Sequence, residues 1–225
     1  MRKTLLIAAA SLAASVISSQ AGVYSQNIVG YVNQVLPANA YSLLTASFAA
    51  SPTNNAEQVL SSLQTGDSIL VWNGGGYNVS VYLGPGSWID GTSGNPVPAP
   101  LLPPGQGFFY QTGSGSLETN TFVGSVVLTN SISIAANLYT LVGSTPPIGG
   151  AVESTNFSLP FQTGDSVLFW NGQGYTVSVY LGPGSWIDGT SGNPVPTPTL
   201  NVGQGFFYQA GSGSSEVWNQ NLSVQ

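Results

Sequence analysis

Apolar and polar residues alternate with a period of two through most of this chain, and glycine, proline and asparagine punctuate the alternation. In SILVWNGGGYNVSVYL the alternation runs up to an Asn-Gly pair and resumes beyond it. This predicts a hairpin with strands over Ser68 to Trp72 and Tyr77 to Leu83, and a second over Val167 to Trp170 and Tyr175 to Leu181. Val71, Val79 and Val81 share one parity and Trp72, Ser80 and Tyr82 the other, which predicts one aliphatic and one aromatic face. Gly-Pro-Gly at 84–86 ends a strand, and DGTSGNPVPAP reads as turns followed by an extended, proline-rich connection. GQGFFYQTG predicts a strand buried on both sides, with glycines where backbones approach closely. SLETNTFVGSVVL supplies a closing strand. A short helix is expected within SPTNNAEQVLSSL at 51–63, capped by Asn54 or Asn55. Its counterpart near 151–160 holds Pro160 and β-forming residues, and no helix is expected there.

The pattern occurs twice. Residues 64–116 align without a gap to 162–214 and differ at nine positions: Ile69/Val167, Val71/Phe169, Gly75/Gln173, Asn78/Thr176, Ala99/Thr197, Leu101/Thr199, Pro103/Asn201, Pro104/Val202 and Thr112/Ala210. The stretch VSVYLGPGSWIDGTSGNPVP is repeated letter for letter at 79–98 and 177–196, while the segments upstream of both blocks have drifted. NIVGYV at 27–32 resembles TFVGSV at 121–126, which the offset also matches to NQNLSV at 219–224, so one strand is expected at the start, middle and end. The chain is therefore expected to be all-β, with two tandem repeats over 22–120 and 121–225. Each would be a small β-sandwich or partly closed barrel of about six strands.

Composition narrows the possible functions. Residues 1–21 read as a secretory signal peptide, with Arg2 and Lys3 ahead of an apolar run and a small-x-small cleavage pattern ending at Ala21. The expected location is outside the cell or on its surface. Arg2 and Lys3 are the only basic residues and there is no histidine, so residues 22–225 carry eight carboxylates and no side-chain cation. Such a chain is expected to bind neither nucleic acid nor an anionic membrane surface. It has no cysteine and hence no disulfides or thiol chemistry.

Several motifs together carry a resemblance. VYSQNIVGYVNQVLP, YSLLTASF, VWNGGGY and GQGFFY, in that order, resemble an uncharacterised family of secreted bacterial β-domain proteins. That family's pattern is VGY near the start, LPAG-YSLIAN, WNG-Y, and PGQGFF before a final strand. Here LPANAYSLLTAS replaces the glycine-containing turn and the Ile-Ala-Asn, and the first half of the second copy departs further. The resemblance implies a surface or accessory module and offers no catalytic residues.

The residues themselves point the same way. Without histidine or lysine no Ser-His-Asp or Ser-Lys arrangement can be built, and a His- or Cys-ligated metal site is excluded. Acid–base chemistry would fall to the pairs Asp67 with Asp90 and Asp165 with Asp188, residues that read more simply as turn caps. The DGTSGN loops place oxygen ligands for calcium on Asp90, Thr92 and Asn95, and on Asp188, Thr190 and Asn193, in positions where the same side chains stabilise turns. Trp88 and Trp186 follow Gly-Pro-Gly-Ser and are expected to be exposed. With Tyr82 and Tyr180 they are the candidate contacts for a polysaccharide. Trp72 and Trp170 are expected to pack in the core or between repeats. The function expected is a non-catalytic structural or interaction module that meets other surface proteins or copies of itself by strand addition. The alternative is a bivalent carbohydrate-binding module with one site per repeat.

Overall fold

The computed structural model describes residues 28–222, so the expected cleavage after Ala21 lies outside the described residues. The protein is all-β and is built from two β-sandwich-like repeats. In the first, six antiparallel strands form a large sheet in the order β2 (Tyr41–Thr45), β8 (Gly107–Gln111), β4 (Ser68–Trp72), β5 (Tyr77–Gly84), β6 (Ser87–Asp90) and β7 (Pro96–Val97). The second repeats this order with β11 (Tyr139–Gly143), β18 (Gly205–Gln209), β13 (Ser166–Trp170), β14 (Tyr175–Gly182), β15 (Ser185–Asp188) and β16 (Pro194–Val195).

Each large sheet is covered by a smaller one. Over the first repeat lie β1 (Val29–Leu36), β9 (Glu118–Val126) and β3 (Phe48–Ala49), with β9 central. Over the second lie β10 (Thr129–Ile134) and β19 (Glu216–Asn221), and β12 (Gly150–Ala151) pairs separately with β17 (Thr199–Leu200). Between the layers sit two separate cores. Leu36, Phe48, Ile69, Trp88, Phe108 and Phe122 belong to the first, and Ile134, Val167, Trp186, Phe206 and Trp218 to the second. The expected helix exists as one turn, α1 (Ala56–Val59). Asn55 caps it, accepting from the Gln58 amide, while the Gln58 side chain accepts from the Asn55 amide. No helix forms at 151–160.

Three expectations are corrected. The strand thought to recur at start, middle and end is two different strands. β9 and β19 are equivalents, whereas β1 is the antiparallel partner of β9. NIVGYV and TFVGSV look alike because Gly30 and Gly124 lie opposite each other in that ladder, under Phe48. A Cβ on Gly30 would come within 2.4 Å of the Phe48 ring, and one on Gly124 within 2.5 Å of the Ala49 carbonyl. The division expected between residues 120 and 121 falls inside β9, which runs unbroken to Val126.

Secondly, the Ser-Trp-Ile-Asp segment, whose tryptophan was expected to be exposed, and the Pro-Val of the DGTSGNPVPAP connection are strands, β6 and β7, that extend the sheet beyond β5. Thirdly, the β4–β5 register sets Trp72 against Tyr77, Leu70 against Val79 and Ile69 against Ser80. Leu70, Trp72, Tyr77 and Val79 therefore share one face, and Ile69, Val71, Ser80 and Tyr82 the other. Parity within a strand does not say which parity of its partner it faces; the length of the Asn73–Gly76 turn decides that.

Candidate functional site

The face carrying Trp72 and Tyr77 meets its counterpart in the second repeat. Leu43, Phe109, Leu141 and Phe207 are buried where the sheets touch, and Leu70, Trp72, Tyr77, Leu168 and Trp170 pack around them. The contacts come in two-fold pairs. The Trp72 indole N–H donates to the Tyr139 carbonyl at 2.9 Å, and that of Trp170 to the Tyr41 carbonyl at 2.9 Å. The Thr45 amide donates to the Gly203 carbonyl at 3.0 Å, and the Gly143 amide to the Gly105 carbonyl at 2.9 Å. On the axis the Tyr77 and Tyr175 hydroxyls lie 3.3 Å apart. The seam is thus an isologous interface contained within one chain.

This seam accounts for where the two blocks differ. Ile69/Val167, Val71/Phe169 and Asn78/Thr176 all lie on the core-facing side of the hairpin, and Gly75/Gln173 in its turn. Four more fall in the connection 99–104, and Thr112/Ala210 just after β8 and β18. No difference lies on the Trp72–Tyr77 face itself; at its border Val202, where the first repeat has Pro104, packs against the first core, and its carbonyl accepts from the Gln34 side chain at 2.7 Å. On the core side a substitution is absorbed locally: Phe169 stacks on Phe206 at 5.5 Å where the first repeat has Val71. Trp72 and Trp170 are the inter-repeat residues that the sequence suggested.

Trp88 and Trp186 are not exposed. Both are 2% accessible and lie in the two cores, beside Tyr82 and Tyr180, which are also buried. The Trp88 indole N–H donates to Glu57 at 2.7 Å and that of Trp186 to Glu153 at 2.8 Å. The same carboxylates accept from the Gly86 and Gly184 amides at 2.9 Å, which fixes the turn before each tryptophan. The sheet has folded Gly-Pro-Gly-Ser-Trp back onto the core, so the glycine-rich context that suggested exposure marks a tight turn. Glu57 and Glu153 were missed because the drifted segments place them at different spacings from their tryptophans. Their acidic character in an almost uncharged chain was the only available signal. Glu57→Ala or Glu153→Ala leaves a buried indole N–H without its acceptor and is expected to cost about 2 kcal/mol each in chemical denaturation.

The DGTSGN loops close on themselves. Asp90 Oδ1 accepts from the Thr92 and Ser93 amides at 3.1 and 2.6 Å, and Asp188 Oδ1 from Thr190 and Ser191 at 3.0 and 2.6 Å. These bonds, led by the backbone amides of Ser93 and Ser191, hold both carboxyls below their ordinary pKa. Asn95 and Asn193 donate their amides to the Ser93 and Ser191 hydroxyls at 3.4 Å. Among the described residues no three His, Cys, Asp or Glu side chains gather around a common point.

Asp67 and Asp165 associate with neither Asp90 nor Asp188. They are buried, and each belongs to a group with a tyrosine and a glutamate. The Tyr208 hydroxyl lies 2.7 Å from Asp165 and 2.8 Å from Glu216. Asp165 also accepts from the Gln162 amide at 2.6 Å. In the first repeat Tyr110 bonds Asp67 and lies 3.3 Å from Glu118, while Asp67 accepts from the Gln64 and Gly113 amides at 2.7 and 2.8 Å. One tyrosine proton cannot serve two carboxylates at once. Burial, aided by the charge of Asp165, raises the Glu216 pKa against the lowering effect of its bonds to Tyr208 and Ser212. Burial and the bond to Asp165 push the Tyr208 hydroxyl far above its usual value.

All eight carboxylates are therefore engaged by neutral N–H and O–H donors within the fold. No protein family, curated protein or solved structure matches this chain.

Proposed function

We propose that the protein is a secreted, non-catalytic interaction module of the cell surface or extracellular matrix, related to the β-domain family that its motifs resemble, and that it self-associates through its first repeat. The observation that carries this reading is the outer face of the small sheet. Val29, Tyr31 and Val35 are 68, 73 and 61% exposed, and Val123, opposite Tyr31, is exposed beside them. The remaining outward positions are Asn33, Thr119, Thr121 and Ser125, all uncharged. The matching face of the second repeat carries Thr129, Ser131, Ser133, Asn219 and Asn221, with Val217 its one large apolar residue. One repeat has kept a solvent-compatible face and the other an apolar one.

Among the described residues β1 is also an edge strand of eight residues, paired on one side only, and it carries none of the lysines that usually protect such edges. A second copy suits it as partner. The face is uncharged, so two copies can meet there without opposing carboxylates. Antiparallel pairing about Asn33 would set Tyr31 of each copy against Val35 of the other, which is self-complementary. Tyr31→Lys with Val35→Lys is expected to leave the melting temperature within about 2 °C, both side chains being exposed, and to abolish oligomers seen by light scattering of the parent protein. A parent that stays monomeric at high concentration would remove this reading.

The expected polysaccharide sites at Trp88 and Trp186 lose their support because those rings are buried; exposed aromatic surface lies at the seam.

A further inference from the structure

The two-fold seam leaves a cleft on each side of the Tyr77–Tyr175 contact. The first, of about 200 Å3, is lined by Tyr41, Leu70, Tyr77, Phe109, Trp170 and Tyr175. The second, of about 370 Å3, is its counterpart, with Trp72, Tyr139, Leu168 and Phe207 in the corresponding places and both central tyrosines shared. In the first, Tyr41, Tyr77, Trp170 and Tyr175 stand at 73–87° to the Phe109 ring, with centroids 5.3–6.5 Å away. Around Phe207, Trp72, Tyr139 and Tyr175 stand at 73–84° and 5.2–6.0 Å. Each cleft is thus an open aromatic box about a central phenylalanine. Tyr41, Tyr139 and Tyr175 are more than a third exposed, so both boxes reach solvent.

The polar groups near the boxes are already committed. The two indole N–H groups bond the Tyr139 and Tyr41 carbonyls, and the central hydroxyls face each other. A sugar bound here would find few partners for its hydroxyls, and burying them unpaired is costly. The aromatic faces do present negative quadrupoles, and residues 22–225 contain no side-chain cation to compete for them. A primary ammonium would lose strong hydration on entering. A quaternary ammonium group is weakly hydrated, methyl-covered and cationic, and it satisfies every one of these conditions.

We infer that the twin seam clefts bind a soluble quaternary ammonium compound of the choline type, one in each cleft. The geometry recurs because every lining residue is the same in both copies: Tyr41/Tyr139, Leu70/Leu168, Trp72/Trp170, Tyr77/Tyr175 and Phe109/Phe207. This site is independent of the β1 face, so a monomeric protein could still bind and an assembling one could fail to.

The test is tryptophan fluorescence of the full chain titrated with choline and tetramethylammonium, beside 3,3-dimethylbutan-1-ol, the uncharged isostere of choline. Saturable binding of both cations is expected, with the isostere at least about tenfold weaker. Tyr41→Leu removes one wall of the first box yet keeps the backbone carbonyl that Trp170 needs, and Tyr139→Leu does the same for the second. The double variant is expected to keep its melting temperature and to weaken choline binding about tenfold. Equal binding of the neutral isostere, or no response to either cation, overturns the assignment. So does retention of full affinity in the double variant. Sedimentation with phosphatidylcholine vesicles in the absence of free-choline binding would overturn the soluble ligand, and a response to cello-oligosaccharides alone would overturn the cationic one.

Discussion

Tyr208→Phe is expected to lower the unfolding free energy by about 3 kcal/mol at pH 7 and by clearly less near pH 4.5. The hydroxyl lies 2.7 and 2.8 Å from the Asp165 and Glu216 carboxyls, and the Ser212 amide and hydroxyl, at 3.4 and 3.3 Å, are the longer contacts that also bridge them. Its removal leaves two buried acids face to face, with no basic side chain anywhere in residues 22–225 to neutralise either. At the lower pH one of them takes up a proton and can itself donate to the other, which restores much of the loss. Urea denaturation of parent and variant at the two pH values measures the difference. An equal loss at both would mean that the tyrosine acts through packing alone.

The same groups give the parent protein an unusual acid profile. Burial holds the Glu216 pKa above its unfolded value. Its contribution to stability is therefore complete below the unfolded pKa of about 4.3 and is lost as the pH rises through the folded one. Glu153 has the opposite sign. Burial alone would raise it, but the Gly184 amide, the Trp186 indole and the Thr197 hydroxyl together lower its pKa, so its contribution is present above the unfolded value and is lost only as the pH falls through the folded one. The melting temperature is expected to rise between pH 7 and pH 5 and to fall below about pH 4. A steady fall from pH 7 downward would contradict this.

The second large effect is expected from Gly205→Ala. A Cβ at this position would lie 2.5 Å from the Leu44 carbonyl oxygen and 3.0 Å from its carbon. Both obstacles are backbone, so no side-chain rotation relieves the contact, and the neighbouring Thr45–Gly203 hydrogen bond would be pushed open. A loss of about 3 kcal/mol is expected, with tryptophan emission shifting to longer wavelength as Trp72 and Trp170 lose their cover. Gly115→Ala is the control, because a Cβ there meets nothing within 4 Å. A variant at 205 as mild as the control would show that the repeats do not hold each other at this point.

Much of the fold was legible because its signals are local. The hairpins around Asn73 and Asn171 are announced by turn chemistry, and the close approaches in GQGFF by glycines that the structure places against the other repeat. The α1 cap was legible for the same reason. What escaped the sequence depends on how distant segments meet. Trp88 was read as exposed because its turn is visible in the sequence, whereas Glu57, which draws it inward, lies 31 residues away. The two faces of the β4–β5 hairpin were regrouped by a cross-strand register that no single strand encodes. The aromatic boxes need residues from both repeats, and the two-fold axis that joins them leaves no mark on either copy alone. The carboxylate–tyrosine groups likewise unite the turn before β4, the middle of β8 and the start of β9.

The two-fold seam has a consequence for how this protein can change. Each aromatic and leucine side chain of the Trp72 face occurs twice and meets the partners of its twin, Thr45 facing its own counterpart Gly143 being the exception, so one altered codon on that face leaves two unlike halves that no longer match. Another self-consistent seam is reached only by paired replacements, such as a change at both Trp72 and Trp170. Randomising the two copies independently should therefore yield functional variants that are correlated across the axis, while the outward faces accept changes one at a time.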